Sequence, residues 1–165
     1  MNLIKFDKSY LAEIMKWFPN EESISIWGGP NFRYPYSDES FMNDLNLPKT
    51  ESFVLTNDFG SILAFGQYYL RNQRCHLSRL VVSPFERSNG IGKYLIAQLS
   101  LQGQEDLKVK SCSLFVMADN KPAMKLYLSL GYREDIYPEE VAKDMIYMVL
   151  SSDSNYQNAA EIAAQ

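Results

Sequence analysis

Arg87-Ser88-Asn89-Gly90-Ile91-Gly92 is the stretch on which the reading of this chain turns. Before it, Arg74–Val82 has the apolar, period-two character of a strand, and Pro84 ends that strand. After it, over 90–102, the period changes, with Ile91, Tyr94, Leu95, Leu99 and Leu101 recurring on or near one helical side. Glycine keeps the backbone bare where a ligand must come close. The N-terminus of the following helix aims unpaired N–H groups and the positive end of its dipole at the same spot. Strand, Gly-x-Gly turn and helix together make an anion site suited to a pyrophosphate, and Arg87 and Lys93 can add charge to it. The turn lacks the third glycine of the dinucleotide fingerprint and the Gly-Lys-Ser/Thr ending of a P-loop. By itself it is equally the mark of a tight turn into a packed helix.

Outward from this turn the elements follow in order. Upstream, residues 2–6 alternate as a short strand, and Asp7 can cap a helix over 7–18 that Pro19 stops. A long loop over 19–37, punctuated by Gly28-Gly29-Pro30 and Pro35, leads to a second helix capped by Ser37 or Asp38 and running to about 45. Three strands, 51–56, 61–71 and 74–82, read as an antiparallel meander joined by Asn/Asp/Gly turns. Downstream come a strand over 109–116, a helix over 121–130 ended by Gly131, and strands over 132–135 and 144–150. This order predicts a mixed α/β (α+β) fold in one domain over 1–150. Residues 151–165 are a polar, Ala-rich tail or weak helix that can dock on the domain.

Two motifs carry a resemblance. Arg87-x-x-Gly90-x-Gly92, following His76-Leu77-Ser78-Arg79-Leu80-Val81-Val82, resembles the coenzyme A signature of the GNAT superfamily of N-acetyltransferases, in which Gln or Arg is followed by two residues, Gly, one residue, and Gly or Ala. Asn120-Lys121-Pro122-Ala123-Met124-Lys125-Leu126-Tyr127-Leu128-Ser129-Leu130-Gly131-Tyr132 resembles the second motif of that family. There an Asn opens a helix, an Ala stands three residues on, and a Leu-Tyr pair precedes a Gly-aromatic pair. The resemblance covers about residues 3–150 and is specific over 76–132.

It implies a GNAT-like mixed, mostly antiparallel sheet with helices on both faces, its central strands 74–82 and 109–116 parallel and splayed to admit acetyl-CoA. The implied reaction is transfer of an acetyl group to a primary amine, small molecule or protein, by direct attack in a ternary complex. Main-chain groups of Leu80, Val81 and Val82 would bind the pantetheine arm like an added strand. N–H groups near Val81 and Val82 would hold the thioester oxygen as charge develops. Arg87, Ser88, Asn89, Gly90, Ile91, Gly92 and Lys93 would take the pyrophosphate, while Asn120 and Ala123 flank the cofactor arm. Ser88 and Asn89 replace the basic or Gly residues common in the family, which spares main-chain binding and can cost phosphate affinity. Tyr127 would protonate the leaving thiolate; outside the motif, a tyrosine on such a helix reads as core with its hydroxyl at the edge. Another acyl group, such as succinyl, on the same cofactor and a non-catalytic acyl-CoA sensor are the rival readings, because fold does not fix function.

An alkyl amine with a pKa near 10.4 is almost wholly protonated at neutral pH, so a base or an apolar site must supply the attacking form. His76, the only histidine, falls where some lysine acetyltransferases of the superfamily carry a base glutamate, and it reads either as that base or as a structural residue. Trp27-Gly28-Gly29-Pro30-Asn31-Phe32-Arg33-Tyr34-Pro35-Tyr36 lies where the family lines its acceptor side. Trp27, Phe32 and Tyr34 can wall a cationic amine and Arg33 can hold an acceptor carboxylate; equally, the aromatics can staple the helices to the sheet.

Composition narrows the alternatives. An apolar fraction of 46% fits a folded chain rather than a disordered one. A net charge of −4 disfavours tight non-specific nucleic-acid binding, which needs a basic face. No apolar run is long enough for a membrane span and the N-terminus lacks a signal-peptide pattern, so a cytoplasmic protein is expected. Cys75 and Cys112 read as buried thiols, and one histidine with two cysteines supplies no usual zinc cluster, so no metal is expected. A monomer or a homodimer is expected from the family.

Overall fold

The computed structural model describes residues 1–151. Among them, seven strands form one sheet in the order β1-β2-β3-β4-β5-β7-β6. They are β1 (Asn2–Lys5), β2 (Glu51–Thr56), β3 (Ile62–Arg71), β4 (Arg74–Val82), β5 (Cys112–Met117), β6 (Arg133–Glu134) and β7 (Met145–Leu150). The helices are α1 (Leu11–Met15), α2 (Glu21–Gly28), α3 (Asp38–Asp44), α4 (Ile91–Leu107) and α5 (Lys121–Ser129). The sheet is mostly antiparallel, and β4 and β5 form its one parallel pair, with Cys75 opposite Cys112 and His76 opposite Ser113. The mixed sheet and the parallel central pair expected from the sequence are therefore present. The tail read at 151–165 lies, but for Ser151, outside the described residues.

The described residues gather into two compact units, one of Met1–Gln67 with Arg79–Leu95, the other of Tyr68–Ser78 with the described residues from Ile96 onward. In the first, Leu11, Ile14, Phe18, Ile24 and Phe41 are buried against Phe65 of β3. The helix expected over 7–18 is a 3-10 turn at Lys8–Tyr10, capped by Asp7, followed by the short α1. The loop expected over 19–37 contains α2, a correction with a local cause. Asn20 accepts from the Ser23 amide while Ser23 reaches back to Asn20, closing a capping box, and Glu21 and Glu22 favour the first turn. Pro19 therefore precedes a new helix as well as ending the one before.

In the second unit the parallel pairing is buried on the side that carries Cys75, Leu77, Cys112 and Leu114. Both cysteines are free and fully buried, and the neighbouring Cys112 together with burial raises the Cys75 thiol pKa, so it stays protonated. Gly103 of α4 lets the helix approach closely: a Cβ there would stand 2.3 Å from the Cys75 sulfur and 3.2 Å from the Tyr68 ring. Tyr132 is fully buried and shares a 3.2 Å hydrogen bond with Ser100. α5 closes as its sequence predicts, with Gly131 at φ 95 and the Tyr132 amide bonded to the Tyr127 carbonyl at 3.1 Å.

Candidate active site

The first unit carries a left-handed residue inside a strand. Arg79 of β4 has φ 47, a conformation that costs a non-glycine residue roughly 1–2 kcal/mol. Such kinks re-aim a strand, and the surroundings must hold them in place. The holding group is a buried polar network. Gln67 is fully buried and its Nε2 donates to the Leu45 carbonyl at 2.9 Å, to Thr50 at 3.0 Å and to Ser52 at 2.8 Å. Arg79 Nη1 donates to Gln67 Oε1 at 2.8 Å and to the Leu45 carbonyl at 3.2 Å, and the guanidinium lies 5.7 Å from the centre of the Phe32 ring. Leu80, Val81 and Val82 follow the kink as extended, half-buried backbone.

A turn then leads to α4. The Ser83 amide donates to Leu63 at 2.8 Å and the Glu86 amide to Ser83 at 3.0 Å. Arg87, Ser88, Asn89 and Gly90 are exposed, with Ser88 at φ 69 and Gly90 at φ 75. Apart from its chain neighbours, no atom of the described residues lies within 4 Å of where a Gly90 side chain would begin. Tyr94 donates to the Gly90 carbonyl at 3.1 Å as the first bond of the 17-residue α4, so the N–H groups of Ile91, Gly92 and Lys93 stand at a helix start without intrahelical acceptors. Ile91 is buried and anchors the turn; Gly92 and Lys93 are half-buried. The geometry is that of an open anion cradle.

In the second unit, Asn120 caps α5 by accepting from the Ala123 amide at 3.2 Å, and Ala123 is half-buried beside it. Tyr127 is 9% exposed, its ring 5.9 Å from that of Tyr132. Burial pushes its pKa up to about 12, and its hydroxyl has no hydrogen bond to a described residue. The phenol therefore keeps its proton at neutral pH. His76 is 3% exposed on β4, and its Nδ1 is 2.9 Å from Ser113 Oγ. The rings of Tyr69 and Phe115 flank it, each centred 5.2 Å away. Burial, helped by the charge of Arg71, pushes its pKa down to about 3, so it is neutral near pH 7. Among the described residues no group of three His, Cys, Asp or Glu is placed to hold a metal.

The aromatic stretch after α2 divides. Phe32 is 6% exposed, and Trp27 stacks on Phe18 at 4.3 Å and lies 5.9 Å from Phe41. These two rings fill core rather than wall a cleft, which favours the staple over the acceptor wall at both positions. Arg33 is bidentate on Asp44, with Nη2 at 2.7 Å and Nε at 3.0 Å, and this pairing lowers the Asp44 pKa. Its fork is engaged within the chain rather than waiting for a carboxylate. Tyr34 is exposed and, like the Asp44-paired Arg33, lies open to solvent, unlike Phe32. The sequence reading assigns no role to Gln67, Arg79 or Arg71: Gln67 and Arg79 are large polar side chains within strands, and Arg71 ends one.

The sequence profile of the acetyltransferase (GNAT) family matches residues 12–132. A UPF0039 protein of Schizosaccharomyces pombe is 31% identical over 110 residues, 65% of this chain and 68% of its own length. A spermidine N-acetyltransferase from Vibrio cholerae, in complex with CoA and spermine, has the same fold with a TM-score of 0.73 at 17% identity, over 93% of this chain and 96% of that one. A dodecameric structure of the Vibrio cholerae spermidine N-acetyltransferase gives 0.69 at 18% identity, over 94% and 96% of the two chains.

Proposed function

Because the chain belongs to the acetyltransferase (GNAT) family, we propose that it transfers the acetyl group of acetyl-CoA to a primary amine, which attacks the thioester directly in a ternary complex. The observation that carries this reading is the turn from Arg87 to Gly92. Two left-handed residues, Ser88 and the open Gly90, precede the unpaired N–H groups of a long helix, as a pyrophosphate requires. Leu80 to Val82 offer extended backbone for the pantetheine arm, and the N–H groups near Val81 and Val82 stabilise the oxyanion. The amine nitrogen bonds to the acetyl carbon, the tetrahedral intermediate collapses, and the C–S bond breaks. Tyr127 then gives its proton to the thiolate; a phenol held protonated by burial has that proton to give. Asn120, with its oxygen engaged in capping, positions α5 and with Ala123 flanks the arm.

His76 is better read as structural than as the base. A nitrogen with a pKa near 3, enclosed by two rings and Ser113, is a poor proton acceptor for an ammonium. Water is assigned the task of accepting the amine proton. The Vibrio cholerae spermidine N-acetyltransferase, similar in fold, was crystallised with CoA and spermine, which supports an amine as the acceptor class.

The test is thiol release from acetyl-CoA across a panel of amines, with wild type beside Tyr127→Phe. The variant is expected to lose about 10²-fold in kcat, the scale of a lost general acid, with acetyl-CoA affinity unchanged. Full turnover by the variant would remove Tyr127 from the acid role. Binding of acetyl-CoA without turnover of any amine would make the chain a sensor, and preference for succinyl-CoA would change the acyl group.

A further inference from the structure

The second unit holds a cation that the proposed mechanism does not use. Arg71, at the end of β3, is half-buried, and its Cζ lies 5.1 Å from the centre of the Phe115 ring and 5.0 Å from that of Tyr137. Its Nε donates to the Tyr137 hydroxyl at 2.7 Å and its Nη1 to the Tyr69 hydroxyl at 3.0 Å. Two other arginines with defined contacts have carboxylates: Arg33 has Asp44 at 2.7 Å and Arg74 has Asp135 at 3.5 Å. Among the described residues none makes an ion pair with Arg71, whose partners are neutral hydroxyls.

A tyrosine oxygen that accepts from a guanidinium still has its own proton to donate. Two O–H groups and the remaining guanidinium N–H groups are therefore donors beside a cation with no ion pair among the described residues. Ser78 Oγ is buried without a partner, two residues beyond His76 on the same strand and so on the same side by alternation. A half-buried cation gains from an acceptor that a ligand supplies, and a rigid guanidinium fork matches a carboxylate. A second ammonium is disfavoured here, because Arg71 already covers the two aromatic faces and would repel it.

We propose that Arg71, framed by Tyr69, Phe115 and Tyr137, is a binding site for the carboxylate of the acceptor, which is therefore an amino acid or a peptide with a free carboxylate rather than a polyamine. The word acceptor rests on the acetyltransferase reading; the carboxylate site does not.

His76 is the sole histidine, and its ring touches Tyr69 and Phe115, so its imidazole resonances are a single reporter of this site. The full chain is titrated with N-acetyl-L-alanine, N-acetyl-L-alaninamide and spermidine, and the His76 ring signals are followed by NMR. A saturable shift at millimolar N-acetyl-L-alanine is expected, with none from the amide or spermidine. Arg71→Met should abolish it, and Tyr137→Phe, which keeps the ring, should weaken it several-fold. In turnover, the twenty amino acids are compared with their amides, and the best acid should show a KM at least about tenfold below its amide, an advantage Arg71→Met erases. No shift, an equal shift from acid and amide, or a shift that survives Arg71→Met would overturn the site. The NMR arm needs no catalysis, so a chain that acetylates nothing can still keep its carboxylate site. Conversely, efficient acetylation of spermidine without the shift sinks the site and leaves the enzyme.

Discussion

His76 sits between the rings of Tyr69 and Phe115 with Nδ1 held by Ser113, and the cost of charging it there brings its pKa from 6.5 to about 3. The unfolded chain binds this proton around 6.5 and the folded chain not until about 3, so between those values the unfolded state holds more protons and stability falls as pH falls. Between pH 6.5 and 5 few carboxylates titrate, and one histidine contributes a slope of up to about 1.4 kcal/mol per pH unit. Urea denaturation over that window should show the decline in wild type and a flatter curve in His76→Gln; identical curves would mean that His76 is solvated in solution. Alternation along β4 placed His76 and Ser78 on a common side in the sequence. It could not say whether that side is open, because the covering rings come from β3 and β5, distant in sequence. Tyr127 was legible for the opposite reason, since its helix, its cap and Gly131 are all local.

At the scale of elements, the kinked strand β4 is held by a residue on its neighbour. Gln67→Leu would keep the volume and leave the Arg79 guanidinium and the Leu45 carbonyl with fewer partners in a buried setting. The expected loss is about 2–4 kcal/mol in equilibrium unfolding, as for a broken buried charged network. A loss below about 1 kcal/mol would show that the kink is held by other means. Strands were legible to within a residue where alternation and turn residues agree, as in β2 and β4. α2 was missed because Pro19 and the glycines at 28 and 29 outweighed the capping signal of Asn20 and Ser23. The predicted helix at 90–102 runs on to Leu107, because Gly103, which weakens helical propensity, is required by the Cys75 and Tyr68 contacts.

For the whole molecule, two motifs far apart in sequence pointed to one family, and the family profile over residues 12–132 agrees. The Gly-x-Gly turn at the start of α4 was readable because helix starts and glycine turns are local grammar. The aromatic loop was not, because whether Trp27, Phe32 and Arg33 face core or ligand depends on Asp44, Phe41 and Phe65, which no periodicity reveals. The central claim is that the turn at Arg87 to Gly92 receives the pyrophosphate of acetyl-CoA. Calorimetric titration of wild type and Gly90→Asp tests it most directly. Aspartate tolerates φ 75 better than most residues, and among the described residues only its chain neighbours lie within 4 Å, so the variant has room to fold. Micromolar binding by wild type and a loss of about 100-fold or more in the variant, the effect of a carboxylate set against a phosphate, is the predicted result; equal affinity in the two proteins, or no binding by wild type, would contradict it.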